Sequence, residues 1–115
     1  MKVKSKLIKR LFRVIQQTNF NSKSEIYIPF KTWFNVLKII LYIDSKLLDD
    51  FCIFPTINNT LLIDYNTTSY TICSFDIHKD EFSMCSRKSN GVNILVDKEK
   101  LSIEAIEKYL DEFKN

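Results

Sequence analysis

The sequence predicts an α+β fold: an antiparallel β-meander of four or five strands, with two amino-terminal helices and one carboxy-terminal helix packed on one face. Three observations carry that expectation. Apolar side chains recur at helical spacing over residues 3–17 and again over 103–113. Between residues 51 and 96 the period shortens to alternation, broken by brief asparagine-rich or charged turns. Strands joined by connections that short must run antiparallel. The 115 residues suit a single α+β domain spanning 1–115, and a hydrophobic fraction of 45% supplies a core without metals or disulfides.

The first helix is the plainest. At about 100° per residue, Val3, Leu7, Ile8, Leu11, Phe12, Val14 and Ile15 share one half of the wheel, which marks them as the packing face. Lys2, Lys6, Lys9, Arg10 and Arg13 form a narrow stripe opposite. A polar stop follows at Thr18 to Ser22, where Asn19 or Asn21 suits a helix end. The second helix runs from Pro29 or Thr32 to Ile43, with Pro29 tolerated in a first turn and Thr32 a candidate N-cap. Its face of Trp33, Val36, Leu37, Ile40 and Leu41 predicts a buried central helix.

Phe51 to Phe54 reads as a short apolar strand closed by Pro55-Thr56, and Asn58-Asn59 as a turn, since asparagine tolerates positive φ. Thr60 to Tyr65 is the next strand, with a reversal at Asn66-Thr67-Thr68. In Ser69 to Ile77, Cys73, Phe75 and Ile77 share one side. Lys79-Asp80 turns the chain into Glu81 to Arg87, where Phe82 and Met84 share a face. Gly91 permits a turn into an edge strand at Val92 to Val96. Ser102 is the N-cap of the last helix, Leu101 and Ile106 staple its start, and Ile103, Ile106, Tyr109, Leu110 and Phe113 form its inward stripe. Glu104 and Lys108 make a favourable i,i+4 pair on its wet side.

Trp33, Ile53, Pro55-Thr56, Asn58-Asn59, Leu61, Ile63, Asp64 and Tyr65 fall in a recognisable order. That order resembles a group of small uncharacterised α+β proteins of bacteria and phages. In them a tryptophan-bearing helix precedes a Pro-Thr strand, a tight hairpin and further strands. Asn59 stands where the resemblance has glycine, and Asp64-Tyr65 where it has Glu-Trp. The resemblance implies the sheet topology and brings no activity with it.

Composition excludes several chemistries. One glycine, Gly91, rules out a dinucleotide-binding fingerprint and a phosphate-cradling loop, and one histidine, His78, rules out a His-Glu-x-x-His zinc helix. Cys52, Cys73 and Cys85 include no Cys-x-x-Cys pair and sit in apolar runs, so each reads as a small core hydrophobe in a reducing cytoplasm. Lys9-Arg10 interrupts the apolar run after the basic start, so no signal-peptide core forms. Trp33 to Ile43 is too short to span a bilayer. Fourteen lysines against three arginines, with a single alanine, suit an AT-rich coding source such as a phage or mobile element.

Charge is the most informative feature. Residues 1–24 hold seven basic and no acidic side chains, whereas the rest hold ten basic and fourteen acidic, so a net charge of +3 conceals a strongly cationic start. The stripe of Lys2, Lys6, Lys9, Arg10 and Arg13 is therefore the candidate partner-binding surface. Its expected partner is an acidic protein surface or a ribonucleoprotein, with RNA or DNA as the alternative. A solvated helix face that only confers solubility is the plain alternative. No aromatic interleaves with the stripe, which disfavours single-strand stacking. A membrane is not expected, because Phe12 and its neighbours belong to the core. No cofactor, metal or small-molecule substrate is expected. The remote catalytic readings are a metal-dependent nuclease built from Asp64, Asp76, Asp80 and Glu81, and a zinc site of Cys52, Cys73, Cys85 and His78. The expectation is a small non-catalytic cytoplasmic interaction protein. It would inhibit a protein or ribonucleoprotein target, in the manner of anti-CRISPR-type anti-defence proteins or antitoxin and immunity-type proteins.

Overall fold

A computed structural model describes residues 2–44, 46–48, 50–68, 71–87 and 93–114. They form α1 (Lys2–Gln17), α2 (Phe30–Tyr42), β1 (Phe51–Pro55), β2 (Leu61–Thr68), β3 (Thr71–Ile77), β4 (Glu81–Arg87), β5 (Asn93–Lys100) and α3 (Ile103–Lys114). The strands make one antiparallel sheet in the order β1-β2-β3-β4-β5, the predicted meander. Asn59, at φ 63°, supplies the left-handed turn residue between β1 and β2. The β3–β4 hairpin closes through the His78 N–H donating to the Glu81 carbonyl at 2.9 Å.

Strand alternation separates the two faces. Phe51, Ile53, Leu61, Ile63, Tyr65, Cys73, Phe75, Ile77, Phe82 and Met84 are all buried, in one core with side chains of the three helices. An aromatic row crosses this face: Phe51–Tyr65 at 5.0 Å between ring centroids, Tyr65–Phe75 at 6.1 Å, Phe75–Phe82 at 6.0 Å and Phe82–Tyr109 at 6.1 Å. Tilted and edge-on contacts at these separations gain ring electrostatics beyond the area they bury. Cys52, Phe54, Leu62, Asp64, Ser74, Asp76, Ser83 and Cys85 alternate to the other face, exposed or half-buried.

Side-chain hydrogen bonds tie the helices to this layer. Trp33 is buried and its indole N–H donates to the Ile28 carbonyl at 3.1 Å. Asn35 Nδ2 donates to the His78 and Lys79 carbonyls at 3.0 and 2.7 Å, pinning α2 to the β3–β4 turn. Ser102 caps α3 as predicted, accepting from the Ala105 N–H at 3.1 Å. Ile106 and Leu110 are buried beneath it, while the Phe113 side chain lies outside the described residues. Glu104 and Lys108 form no ion pair among the described residues. Lys108 instead stands 5.5 Å over the Tyr109 ring.

Local expectations fail in five further places. Thr32 is not an N-cap: α2 begins after Pro29 with no side-chain cap, and the Thr32 hydroxyl is buried without a hydrogen-bond partner among the described residues. Asn19 does not cap α1 but clamps Ile28, its Nδ2 donating to the Ile28 carbonyl at 2.6 Å and its Oδ1 accepting from the Ile28 N–H at 2.9 Å. β2 runs through Asn66-Thr67-Thr68 with an irregular register instead of turning there. Cys52 and Cys85 are exposed on the outer sheet face, and only Cys73 is a core residue. Phe12 and Leu41, assigned to packing faces, are both exposed. Gly91 lies outside the described residues, where its predicted turn falls. Among the described residues no helix is long and apolar enough to cross a membrane.

Candidate interaction surface

The cationic stripe divides once the fold is formed. Lys6, Lys9 and Arg13 are exposed and have no ion-pair partner among the described residues. Arg10 leaves the stripe: its guanidinium pairs with Asp50 and also donates to the Phe51 carbonyl at 2.6 Å, on the edge strand β1. The Lys2 side chain lies outside the described residues. Lys4, on the α2 side of α1, donates to the Leu41 carbonyl at 2.8 Å, a cation at the carboxy-terminal end of α2 where helix carbonyls are unsatisfied. Of the predicted stripe, Lys6, Lys9 and Arg13 thus remain exposed and unpaired among the described residues.

Beside them lies an apolar surface whose exposed phenylalanines, Phe12 apart, the sequence pattern assigns to no packing face. Phe12 is 57% exposed, Phe20 66%, Phe30 47% and Phe34 59%. With Leu11, Ile15, Trp33 and Leu37 they line a wholly apolar groove of about 290 Å³ between α1 and α2. Helix geometry fixes why these rings stay outside. Trp33, Val36 and Ile40 consume the face of α2 that meets the sheet, and Phe30, Phe34 and Leu41, spaced at i, i+4 and i+11, stand on the outer stripe. An exposed apolar stripe of this kind offers a surface to something else. Phe30, Phe34 and Leu41, which share a stripe off the Trp33–Val36–Ile40 face, were the signal available in the sequence.

Charge borders the groove on both flanks. On α1, Lys9 stands one turn from Phe12 at i−3, whereas Arg13, at i+1, is rotated about 100° away toward the basic stripe. On α2, exposed Lys38 is one turn beyond Phe34. Lys31 is also on that flank but is paired with Asp80, whose carboxyl that ammonium holds below its ordinary range. Exposed rings and cations therefore adjoin at the edges of the groove, while no aromatic interleaves with the stripe of Lys2, Lys6, Lys9, Arg10 and Arg13 itself. The rings are not a flat row, however: Phe30 meets Phe20 at 46° and Tyr27 at 89°.

The catalytic alternatives find no convergent geometry. Asp64 accepts from Ser74 Oγ at 2.9 Å, and Asp76 from Thr60 Oγ1 at 2.5 Å with His78 Nε2 at 3.4 Å. Asp80 and Glu81 belong to the β3–β4 turn and its exit, so the four carboxylates do not gather. Cys73 is on the inner face while Cys52 and Cys85 are on the outer, so pleat alternation separates the three thiols. Among the described residues no group of three or more histidine, cysteine or acidic side chains could hold a metal. A polar cleft of about 530 Å³ beside Asn58, Asn59, Thr60 and His78 lies at the turn end of the sheet. There the hydroxyl of Thr60 is spent on Asp76, not on the imidazole. Comparison of the chain with protein-family models, with curated proteins and with solved structures finds no match.

Proposed function

We propose that this chain is a small non-catalytic interaction protein that docks through its α1–α2 face onto an acidic protein surface or a ribonucleoprotein and inhibits it by occupying that surface. One observation carries the reading: exposed phenylalanines Phe12, Phe20, Phe30 and Phe34 stand between exposed Lys9, one turn from Phe12, and exposed Lys38, one turn from Phe34. Aromatic anchors with a cationic rim combine the two contributions an interface needs. Buried rings supply affinity, and peripheral charge supplies steering and partner choice. The lysine-rich, alanine-poor composition supports an anti-defence role in a phage or mobile element, of anti-CRISPR, antitoxin or immunity type. The free thiols of Cys52, Cys73 and Cys85 suit the reducing cytoplasm.

The test is affinity capture from source cells with wild type and with a Lys6→Gln/Lys9→Gln/Arg13→Gln variant, each with and without nuclease. Arg10 stays intact because it holds β1. The expected result is a discrete acidic protein retained by wild type through nuclease treatment and lost by the variant. Release of everything by nuclease would replace this reading with nucleic-acid binding. Equal retention by both proteins would show the charges to be a solubility device.

A further inference from the structure

We infer that the groove between α1 and α2 receives an acidic amphipathic helix of the partner, which inserts two apolar side chains between the phenylalanine rings; this rests on the docking reading above. The groove's size and lining set the chemistry. At about 290 Å³ it lies at or below the lower end of ordinary small-molecule sites, and no polar atom lines it to orient a ligand. A dry apolar cavity of about 150 Å³ holds one benzene-sized group, so this volume takes roughly two large side chains. Its walls are two packed helices, Phe12 and Ile15 on one and Phe30, Phe34 and Leu37 on the other, the arrangement that helix-in-groove recognition uses. α2 is about 20 Å long, so it can run beside four turns of a partner helix.

Charge selects the occupant. Lys9, one turn from Phe12, and Lys38, one turn from Phe34, flank the groove, and residues 1–24 contain no acidic side chain. A second copy presenting the same face would bring like charges together. The acidic helix of this chain, α3, is unavailable as an occupant, because Ile106 and Leu110 on its apolar face are already buried in the core. A flat bilayer surface meets the ring tips but leaves a concave groove unfilled. Tilted rings offer single-stranded bases no continuous platform.

The experiment uses the full chain and fluorescence anisotropy at about 0.15 M salt, where charges are screened beyond about 8 Å. The probe is a labelled peptide of about 16 residues, roughly four helical turns. It carries leucine at i, i+3 and i+7 with glutamate on the remaining faces. A scrambled peptide of the same composition, an oligo-dT strand and phosphatidylserine-containing vesicles are the controls. The amphipathic peptide should bind about tenfold or more tightly than the scrambled one. Phe12→Ser and Phe34→Ser should each weaken it about tenfold at any salt. Both positions are more than half exposed, so the variants should melt close to wild type.

Equal binding of the two peptides, lost together in Lys9→Gln/Arg13→Gln, would overturn the groove assignment and leave the basic docking face standing. Stronger binding to oligo-dT or to vesicles, or no charge-dependent binding of either peptide, would overturn both.

Discussion

Replacing Arg10 by glutamine should destabilise the fold, whereas the same change at Lys9 or Arg13 should not. The difference is set by what each side chain touches. Arg10 is 30% exposed in its side chain and its Asp50 partner 50%. A pair that open to water contributes about 0.2–1 kcal/mol. The second contact is a charged donor to the part-buried Phe51 carbonyl at 2.6 Å. Such bonds are worth about 1.5–3 kcal/mol when sheltered, and partial exposure lowers the figure. A total of about 1–2 kcal/mol follows, which for a chain of 115 residues is a fall in melting temperature of about 4–8 °C. Lys9→Gln and Arg13→Gln should stay within about 0.5 kcal/mol.

Thermal and urea unfolding measure these costs directly, and a double-mutant cycle with Asp50→Asn separates the ion pair from the carbonyl contact. The coupling between positions 10 and 50 should be about 0.2–1 kcal/mol. The remainder of the Arg10 cost should persist in the Asp50→Asn background. If Arg10→Gln costs no more than Lys9→Gln, Arg10 does not fasten α1 to β1 and returns to the docking stripe.

Other outcomes follow from the packing. Trp33→Ala should cost about 3–5 kcal/mol in urea unfolding, because the ring is buried and its N–H is bonded to Ile28. A thiol reagent should label Cys52 and Cys85 rapidly and Cys73 only on unfolding, since Cys52 and Cys85 are exposed. Burial, with smaller contributions from Cys85 and Asp64, pushes the Cys73 thiol from 9.0 up to about 12. Its raised pKa means that the unfolded chain ionises first, so stability should be unaffected by this group below pH about 9 and fall as pH rises from there toward 12. Asn59→Gly should be neutral within about 0.5 kcal/mol, while Asn59→Val should cost about 1–2 kcal/mol for a β-branched residue held at φ 63°.

Elements whose signal is local were readable in advance. Alternation in 71–77 and 81–87 placed Cys73, Phe75, Ile77, Phe82 and Met84 on the buried face, and Ser102 with its staple fixed the start of α3. Features that depend on a neighbour were not. The helical wheel shows that Phe12 is on the apolar half of α1 but not how far α2 covers that half; coverage stops at Leu11 and Ile15, and Phe12 stands outside. Nothing in residues 1–17 reveals that the Phe51 carbonyl lies within reach of Arg10, because the contact joins segments about forty positions apart. Phe51-Cys52-Ile53-Phe54 is apolar at every position, so its pattern could not say that Cys52 and Phe54 face outward. Thr32 had a capping residue's chemistry, but Pro29 had already begun the helix and the next turns buried it.

Two faces of this molecule expose a phenylalanine to comparable extents: Phe12 at 57% and Phe34 at 59% on the helices, and Phe54 at 47% on the outer sheet. Oxidative side-chain footprinting of the chain, free and bound to its captured partner, therefore tests the docking assignment directly. Phe12 and Phe34 should become protected in the complex while Phe54 and Leu62 keep their free-state oxidation rates. Protection of Phe54 and Leu62 with Phe12 and Phe34 unchanged would move the interface to the open face of the sheet and contradict the α1–α2 surface.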